Sequence, residues 1–100
     1  MHIIYRTNKL QRQCTDAGEA RRDYGQEMAV KLSQRIRELQ AADSVDMLMQ
    51  FRIGRCHALT GNLAGCYAMD LAQPYRLLFE KAEAKNEIHV VKIVAIKDYH

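Results

Sequence analysis

Long apolar runs are missing from this sequence, which argues against a membrane-spanning protein. No stretch approaches the eighteen or so consecutive apolar residues that a membrane-spanning helix needs. Residues 1–6 do not show a basic segment followed by an apolar one, so they lack the pattern of a signal peptide. We therefore expect a cytoplasmic protein without a membrane partner.

Cysteine is also scarce. Cys14, Cys56 and Cys66 are odd in number and show no Cys-x-x-Cys spacing, which argues against a disulfide framework. Cys56 and Cys66 could face each other across a hairpin and, with His57 nearby, hold a metal ion. Zinc ligands, however, normally come in closely spaced pairs, which are missing here. We expect buried free thiols, no metal and no cofactor.

An excess of one charge sign is absent as well. The net charge of +3 comes from 15 basic and 12 acidic residues, too small an excess to identify a nucleic-acid binder. Its distribution is more informative, because no acid occurs between Asp46 and Asp70 while Arg52, Arg55 and His57 lie in that window. This weak basic patch is compatible with phosphate binding, and an ordinary solvated surface explains it equally well.

The amino-terminal half has the periodicity of helices. The sequence has no internal repeat, low-complexity tract or linker, so we expect a single domain over residues 1–100. Residues 2–6 suggest a strand, Thr7 and Ser44 are candidate helix caps, and Gly25 is a candidate helix stop. Residues 26–42 predict the clearest helix, with Arg35 among the polar residues assigned to its outer side. Its apolar stripe consists of Met28, Leu32, Ile36 and Leu39.

After Phe51 the apolar period changes to two, which is typical of strands. Two alternating runs over residues 67–71 and 75–79 are joined by a tight connection, and residues 84–86 predict a second turn. The final run is apolar on both faces, with Ile93 and Ile96 on opposite sides, which predicts a buried central strand. The fold class is therefore α+β: an amino-terminal strand and helices packed on one face of a twisted antiparallel sheet.

Proton-transfer groups follow this last strand directly. Asp98 and His100 share one side of a regular strand and Tyr99 takes the other. We expect the sheet to bring Asp98 and His100 onto one concave face with His57 and Arg76. Such a set suits metal-independent RNA cleavage, in which a base removes the 2′-hydroxyl proton, an acid protonates the leaving 5′-oxygen and a cation stabilises the phosphorane. Histidine suits both proton roles, and arginine grips phosphate.

Structural explanations for the same residues stay open. His57 alone can be an ordinary surface histidine, and Arg76 can simply pair with Glu80 or Asp70. Tyr99 can stack a base or donate to phosphate, but it can also cap the core.

Several of these residues stand in the order and spacing of a known family. Residues 57–61, Gly65, Tyr67, residues 75–79 and residues 98–100 resemble the corresponding segments of RelE-type toxins of toxin–antitoxin pairs, within them the HigB-like killer proteins. The resemblance covers nearly the whole chain.

The resemblance implies a ribosome-dependent endoribonuclease that cuts translating mRNA. In that family's pattern, the positions implied as catalytic are His57, Asp98, Tyr99 and His100, and Arg76 matches the arginine that contacts phosphate. We count Arg76 with the catalytic residues and expect Arg55, Arg76 and Lys97 to bind RNA phosphate. Thr60 departs from the pattern, because several relatives have a lysine there; Arg55 or Lys97 can substitute for that charge.

The implied partners are the ribosome, mRNA and a cognate antitoxin, HigA-like with a helix-turn-helix DNA-binding domain, which can form an oligomer with the toxin. Two alternatives remain. Relatives of the ParE kind share the fold but bind DNA gyrase without a hydrolytic site, and a degraded toxin would only bind its antitoxin. His57 and His100 favour the nuclease, because a pure binder needs neither.

Overall fold

The computed structural model describes residues 1–84 and 87–98, which form a sheet with helices packed against it. This confirms the predicted α+β class. Short 3₁₀ turns occur at Ile53–Arg55 and Gly61–Leu63. In chain order the elements are β1 (His2–Tyr5), α1 (Asn8–Thr15), α2 (Ala17–Tyr24), α3 (Gln26–Ala41), α4 (Val45–Gln50), β2 (His57–Ala58), β3 (Cys66–Asp70), β4 (Tyr75–Ala84) and β5 (Glu87–Asp98).

The helix ends follow the predicted capping residues. The Thr7 hydroxyl accepts a hydrogen bond from the Leu10 amide at 3.1 Å and starts α1. The Ser44 hydroxyl likewise accepts from the Met47 amide at 3.1 Å and starts α4. Gly25, at φ 92°, ends α2 in a conformation that favours glycine. Each cap satisfies a backbone group that the first or last helical turn would otherwise leave without a partner.

The link between α1 and α2 is set by Asp16, which lies between the two helices. Its carboxylate accepts hydrogen bonds from the amides of Gly18 and Glu19 at 2.9 and 3.3 Å, so it begins a new helix. The buried Gln13 amide donates to Asp23 at 2.9 Å and ties the two helices together. This hydrogen bond is the largest cause that lowers the pKa of Asp23 from its ordinary value.

The predicted stripe of α3 is buried against the sheet, as expected. One residue assigned to the outer side is not outside: Arg35 is only 9% exposed. It lies seven residues after Met28, three after Leu32 and four before Leu39, which is the spacing of the buried face. The core is completed from the sheet by Met69, Leu71, Leu77, Phe79, Val91 and Ile93.

The sheet has the strand order β1-β5-β4-β3-β2. The pairs from β2 to β5 are antiparallel, as predicted, whereas β1 adds to β5 in parallel. β5 is an interior strand, which confirms the interpretation of its two apolar faces. β2, which carries His57, forms one edge of the sheet.

A register shift interrupts the pairing of β4 with β5. Leu78 pairs with Ala95, but Phe79 pairs with Ile93, so Val94 is the extra residue of a β-bulge. Because a bulge changes which side the following residues occupy, Ile96 lies on the same face as Ile93. The prediction that these two isoleucines occupy opposite faces was therefore wrong. The predicted turn at residues 84–86 includes Lys85 and Asn86, which lie outside the described residues.

Candidate functional site

A groove opens at the β2 end of the sheet, with a volume of about 430 Å³. It is formed by the end of α4, the 3₁₀ turn that follows it, and strands β2 and β4. Its lining residues are Met49, Arg52, Arg55, Cys56, His57 and Arg76. Three of these residues carry guanidinium groups, so the groove favours anionic ligands.

His57 lies on the edge strand, where it pairs with Ala68 and its side chain is exposed. Its Nδ1 lies 2.8 Å from the backbone oxygen of Arg55. A carbonyl oxygen only accepts hydrogen bonds, so this contact requires a hydrogen on Nδ1. The neutral ring then has Nε2 as its basic nitrogen. The backbone of the preceding turn thus determines which nitrogen exchanges a proton.

Arg76 reaches the same groove from β4. It pairs across the sheet with Asp70 of β3, and its Nε lies 3.6 Å from one carboxylate oxygen of that residue. Of the two acids considered as its partner, Asp70 is therefore in ion-pair contact. Arg55 Nε lies 3.5 Å from the other Asp70 oxygen. One carboxylate, 16% exposed, thereby holds two guanidinium groups beside His57.

Arg35 supports this arrangement from the core side. Its Nε donates to the backbone oxygen of Asp70 at 2.6 Å, and its Nη1 contacts Glu38 at 2.8 Å. It also packs against Gly54 so closely that a Cβ on that glycine would lie 2.8 Å from the Arg35 Nε. Arg35 therefore links α3, the end of β3 and the 3₁₀ turn. Sequence reasoning missed this role, although the helical spacing of Arg35 carried the signal.

The turn that carries the arginines has an unusual backbone. Arg52 and Arg55 have φ values of 54° and 55°, and Gly54 between them has a φ of 60°. This left-handed region is unfavourable for residues with a Cβ, so two of these three positions are strained. Such strain persists only where surrounding contacts hold it, and it is concentrated at functional sites.

The cysteines do not add a nucleophile to the groove. Burial raises the pKa of Cys56 to about 11, so near neutral pH it is a thiol and not a thiolate. Cys14, Cys56 and Cys66 are all free, with the first two buried and Cys66 half-buried. The Leu59 amide donates to the Cys66 carbonyl at 2.9 Å, so Cys66 lies across from Leu59 and does not face Cys56.

Two further predicted site residues, Lys97 and Asp98, lie at the end of β5. Lys97 pairs with Arg76 in register, whereas Asp98 pairs with Tyr75. Directly opposed residues share a sheet face, so this register puts Lys97 on the face of Arg76. The expectation that Asp98 shares that face is not supported, because the bulge at Val94 changes the alternation.

Tyr99 and His100 lie outside the described residues. In residues 1–84 and 87–98, no group of three histidine, cysteine or acidic side chains could hold a metal ion. None of the helices in that part of the chain has both the length and the apolar character of a membrane span.

The arrangement of strands and helices is shared with a class of toxins. The sequence matches no protein-family model and no curated protein. Solved structures, however, match over the whole chain with low sequence identity, which shows a common fold.

The first is a YoeB/ParE toxin from Agrobacterium tumefaciens, 14% identical, covering 100% of both chains with a TM-score of 0.64. The second is a YoeB–YefM complex from Staphylococcus aureus, 17% identical, covering 100% of this chain and 97% of the other, with a TM-score of 0.63. A YoeB dimer from the same organism is 16% identical with the same coverage and TM-score. The chain thus has the fold of the YoeB and ParE toxins.

Proposed function

We propose that this protein is a ribosome-dependent mRNA endoribonuclease, the toxin of a toxin–antitoxin pair. The observation that carries the proposal is the groove in which His57 lies with Arg52, Arg55 and Arg76. A histidine with a fixed tautomer beside several guanidinium groups suits proton transfer at a phosphodiester. The shared fold with YoeB toxins and the sequence resemblance to HigB-like proteins support the same function.

In this mechanism His57 exchanges the proton through Nε2. Its Nδ1 hydrogen is directed to the Arg55 carbonyl at 2.8 Å, so Nε2 is the nitrogen available to the RNA. As a neutral ring it removes the 2′-hydroxyl proton, and as an imidazolium it can protonate a leaving oxygen. The carbonyl contact orients the ring in either state.

Arg76 and Arg55 stabilise the charge that develops on the phosphorane. In the protein alone both guanidinium groups contact Asp70 at 3.5 and 3.6 Å, longer than a close charge-assisted hydrogen bond. A phosphate entering the groove offers them shorter contacts, while Asp70 keeps the two groups together. Lys97, the cross-strand neighbour of Arg76, adds positive charge on the same face.

The end of the chain supplies the other proposed roles through the resemblance. His100 shares the acid and base work with His57, Tyr99 positions the nucleotide, and Asp98 orients or tunes an imidazole. Asp98 pairs in register with Tyr75, next to the position where Lys97 pairs with Arg76. No metal takes part.

The proposed partners follow from the same assignment. The protein acts in the cytoplasm as a single domain, binds the ribosome and mRNA, and is neutralised by an antitoxin of the HigA-like, helix-turn-helix kind. One of the structures with the same fold is a complex of YoeB with YefM. That complex supports an antitoxin partner for this chain, and it leaves the antitoxin's class to experiment.

The His57→Ala variant tests the proposal. We expect primer extension in a translating extract to show codon-phased cuts with the wild type. Loss of a general acid or base costs about 10²- to 10⁴-fold in rate, so the cleavage rate of His57→Ala should be at least about 10²-fold lower. His2→Ala is the matched control, because His2 is also exposed but lies on β1, at the other edge of the sheet.

Other outcomes would contradict the proposal. Full translation arrest by both His57→Ala and His100→Ala would refute the assigned proton-transfer groups. Intact message together with blocked DNA supercoiling by purified gyrase would support the ParE-like alternative. An intact message and active gyrase, with antitoxin binding retained, would identify a degraded toxin.

A further inference from the structure

Phe51 is 66% exposed, whereas Phe79, the other phenylalanine of the sequence, is fully buried. Phe51 follows the last residue of α4, and its backbone amide donates to the Met47 carbonyl at 3.0 Å. This hydrogen bond fixes the backbone at Phe51 although its ring is in solvent. A single exposed apolar side chain needs no explanation by itself. The surroundings of Phe51 are what make it informative.

Phe51 is flanked in sequence by residues of the candidate groove. Met49, two residues earlier, and Arg52, the next residue, both line it. The chain leaves Phe51 through the left-handed Arg52, with φ 54° and ψ 38°, and continues through Gly54 and Arg55 with positive φ. The strained turn therefore connects an exposed aromatic ring to two groove arginines, and buried Arg35 packs against it from below.

We propose that Phe51 is a stacking platform for a nucleobase of the RNA bound in this groove. The inference rests on the proposed function and extends it by naming how a base beside the cut phosphate is held. An aromatic ring alternating with cationic side chains is the pattern of single-stranded nucleic-acid binding, in which bases stack and guanidinium groups follow the backbone. Such stacking is tolerant of sequence, because every base has a π-face.

The charges around Phe51 favour RNA over an apolar protein segment. Arg52, Arg55 and Arg76 line the groove, with Asp70 as the acid in contact with two of them. In residues 1–84 and 87–98 no carboxylate lies within ion-pair distance of Arg52. Its guanidinium group therefore remains available to a phosphate next to the stacked base.

The first test measures RNA binding without cleavage. The probe is a short single-stranded RNA that carries 2′-O-methyl groups, which prevent cutting, and 2-aminopurine, whose fluorescence falls on stacking. We expect Phe51→Leu to weaken binding about tenfold and to remove the fluorescence change. Phe51→Tyr, which keeps the ring, should retain both. Val30→Ala, at another exposed apolar residue, 55% exposed on α3, should behave as the wild type.

The second test measures cleavage on translating ribosomes. Phe51→Leu should raise KM about tenfold and leave kcat and its pH dependence close to the wild type, because stacking binds the substrate without moving a proton. The melting temperature should not change, since the ring is exposed. A merely structural role would instead lower the melting temperature.

Each remaining result decides between explanations. Equal RNA affinity and equal fluorescence quenching for Phe51→Leu and the wild type would overturn the inference while the proposed function stands. If that variant binds RNA normally but loses affinity for the antitoxin, Phe51 is a protein contact and the inference is likewise wrong. Absence of cutting by the wild type would refute the proposed function, and the binding test would still decide the role of Phe51.

Discussion

Asp70 takes part in the core and in the groove at the same time. Its backbone carbonyl accepts from the buried Arg35, and its carboxylate contacts Arg55 and Arg76. The side chain is mostly buried, which strengthens its interaction with both guanidinium groups. A change at Arg35 should therefore affect the groove through Asp70.

The variant Arg35→Met tests this link at the residue scale. Methionine fills a similar volume but leaves the Asp70 carbonyl without its 2.6 Å donor and Glu38 without its 2.8 Å partner. We expect the free energy of unfolding to fall by about 1–3 kcal/mol, the cost of a buried polar group that has lost its partner. Urea unfolding followed by circular dichroism measures it.

Arg37→Met is the matched control, because Arg37 is exposed on the same helix. It should change the free energy of unfolding by less than about 0.5 kcal/mol. An equal effect of the two substitutions would mean that Arg35 contributes no more than any surface arginine. In that case the inference that Arg35 links α3 to the groove would be wrong.

At the scale of elements, the 3₁₀ turn at Ile53–Arg55 is the segment whose conformation the groove requires. Gly54→Ala should destabilise it for two reasons. Alanine is unfavourable at φ 60°, and its Cβ would lie 2.8 Å from Arg35 Nε. We expect a loss of roughly 2–4 kcal/mol in the free energy of unfolding, of which the left-handed conformation accounts for about 1–2.

Gly61→Ala separates the two contributions. Gly61 has a similar φ of 66°, but no atom lies within 4 Å of its Cβ position. This variant should therefore lose only the part due to the left-handed conformation. Chemical denaturation of both proteins gives the difference, and equal losses would show that the close approach of Arg35 to Gly54 costs nothing.

The elements themselves were largely predictable from local patterns. Local geometry is encoded directly in the sequence. Examples are the spacings of four, four and three residues in the α3 stripe, the capping residues Thr7 and Ser44, and the period of two after Phe51. The β-bulge at Val94 was not predictable, because it depends on how two strands pair and leaves no local pattern. This one extra residue puts Lys97 opposite Arg76, so that Lys97 and not Asp98 shares the face of Arg76.

Two residues of the groove were predicted to lie together, whereas the contacts that hold them were not. His57 and Arg76 were expected on one face, and they line one groove. Asp70 was considered only as a competing partner for Arg76, and Arg35 was assigned to the outer face of its helix. The contact of Arg35 with the Asp70 carbonyl joins residues 35 positions apart, so no local pattern predicts it, although the helical spacing of Arg35 does indicate that its side chain is buried.

At the scale of the whole molecule, burial of ionisable groups couples stability to alkaline pH. Burial raises the pKa of Cys14 from its ordinary value of 9.0 to about 12 and that of Cys56 to about 11. Tyr5, on β1, is raised to about 12, mainly by burial. Cys14 and Cys56 are 7% and 5% exposed, so folding keeps both thiols away from the solvent that would stabilise a thiolate.

The sign of the effect follows from proton binding. Well below pH 9 both folded and unfolded chains hold the thiol protons, so these groups add no pH dependence there. Above pH 9 the unfolded chain loses protons that the folded chain keeps, so the free energy of unfolding falls as pH rises. The fall extends to about pH 11 for Cys56 and about pH 12 for Cys14. Each buried thiol contributes up to about 1.4 kcal/mol per pH unit within its range.

Urea unfolding at a series of pH values, with a reducing agent present, measures this dependence. We expect these thiols to add no slope below roughly pH 8 and a decline that steepens as the pH passes 9. Cys14→Ala should lower the stability at every pH, because it removes buried volume, but its decline above pH 9 should be shallower. Val30→Ala, which removes apolar volume at an exposed position and no ionisable group, should keep the slope of the wild type. A Cys14→Ala slope equal to that of the wild type would show that the Cys14 thiol ionises as readily in the folded protein as in the unfolded chain.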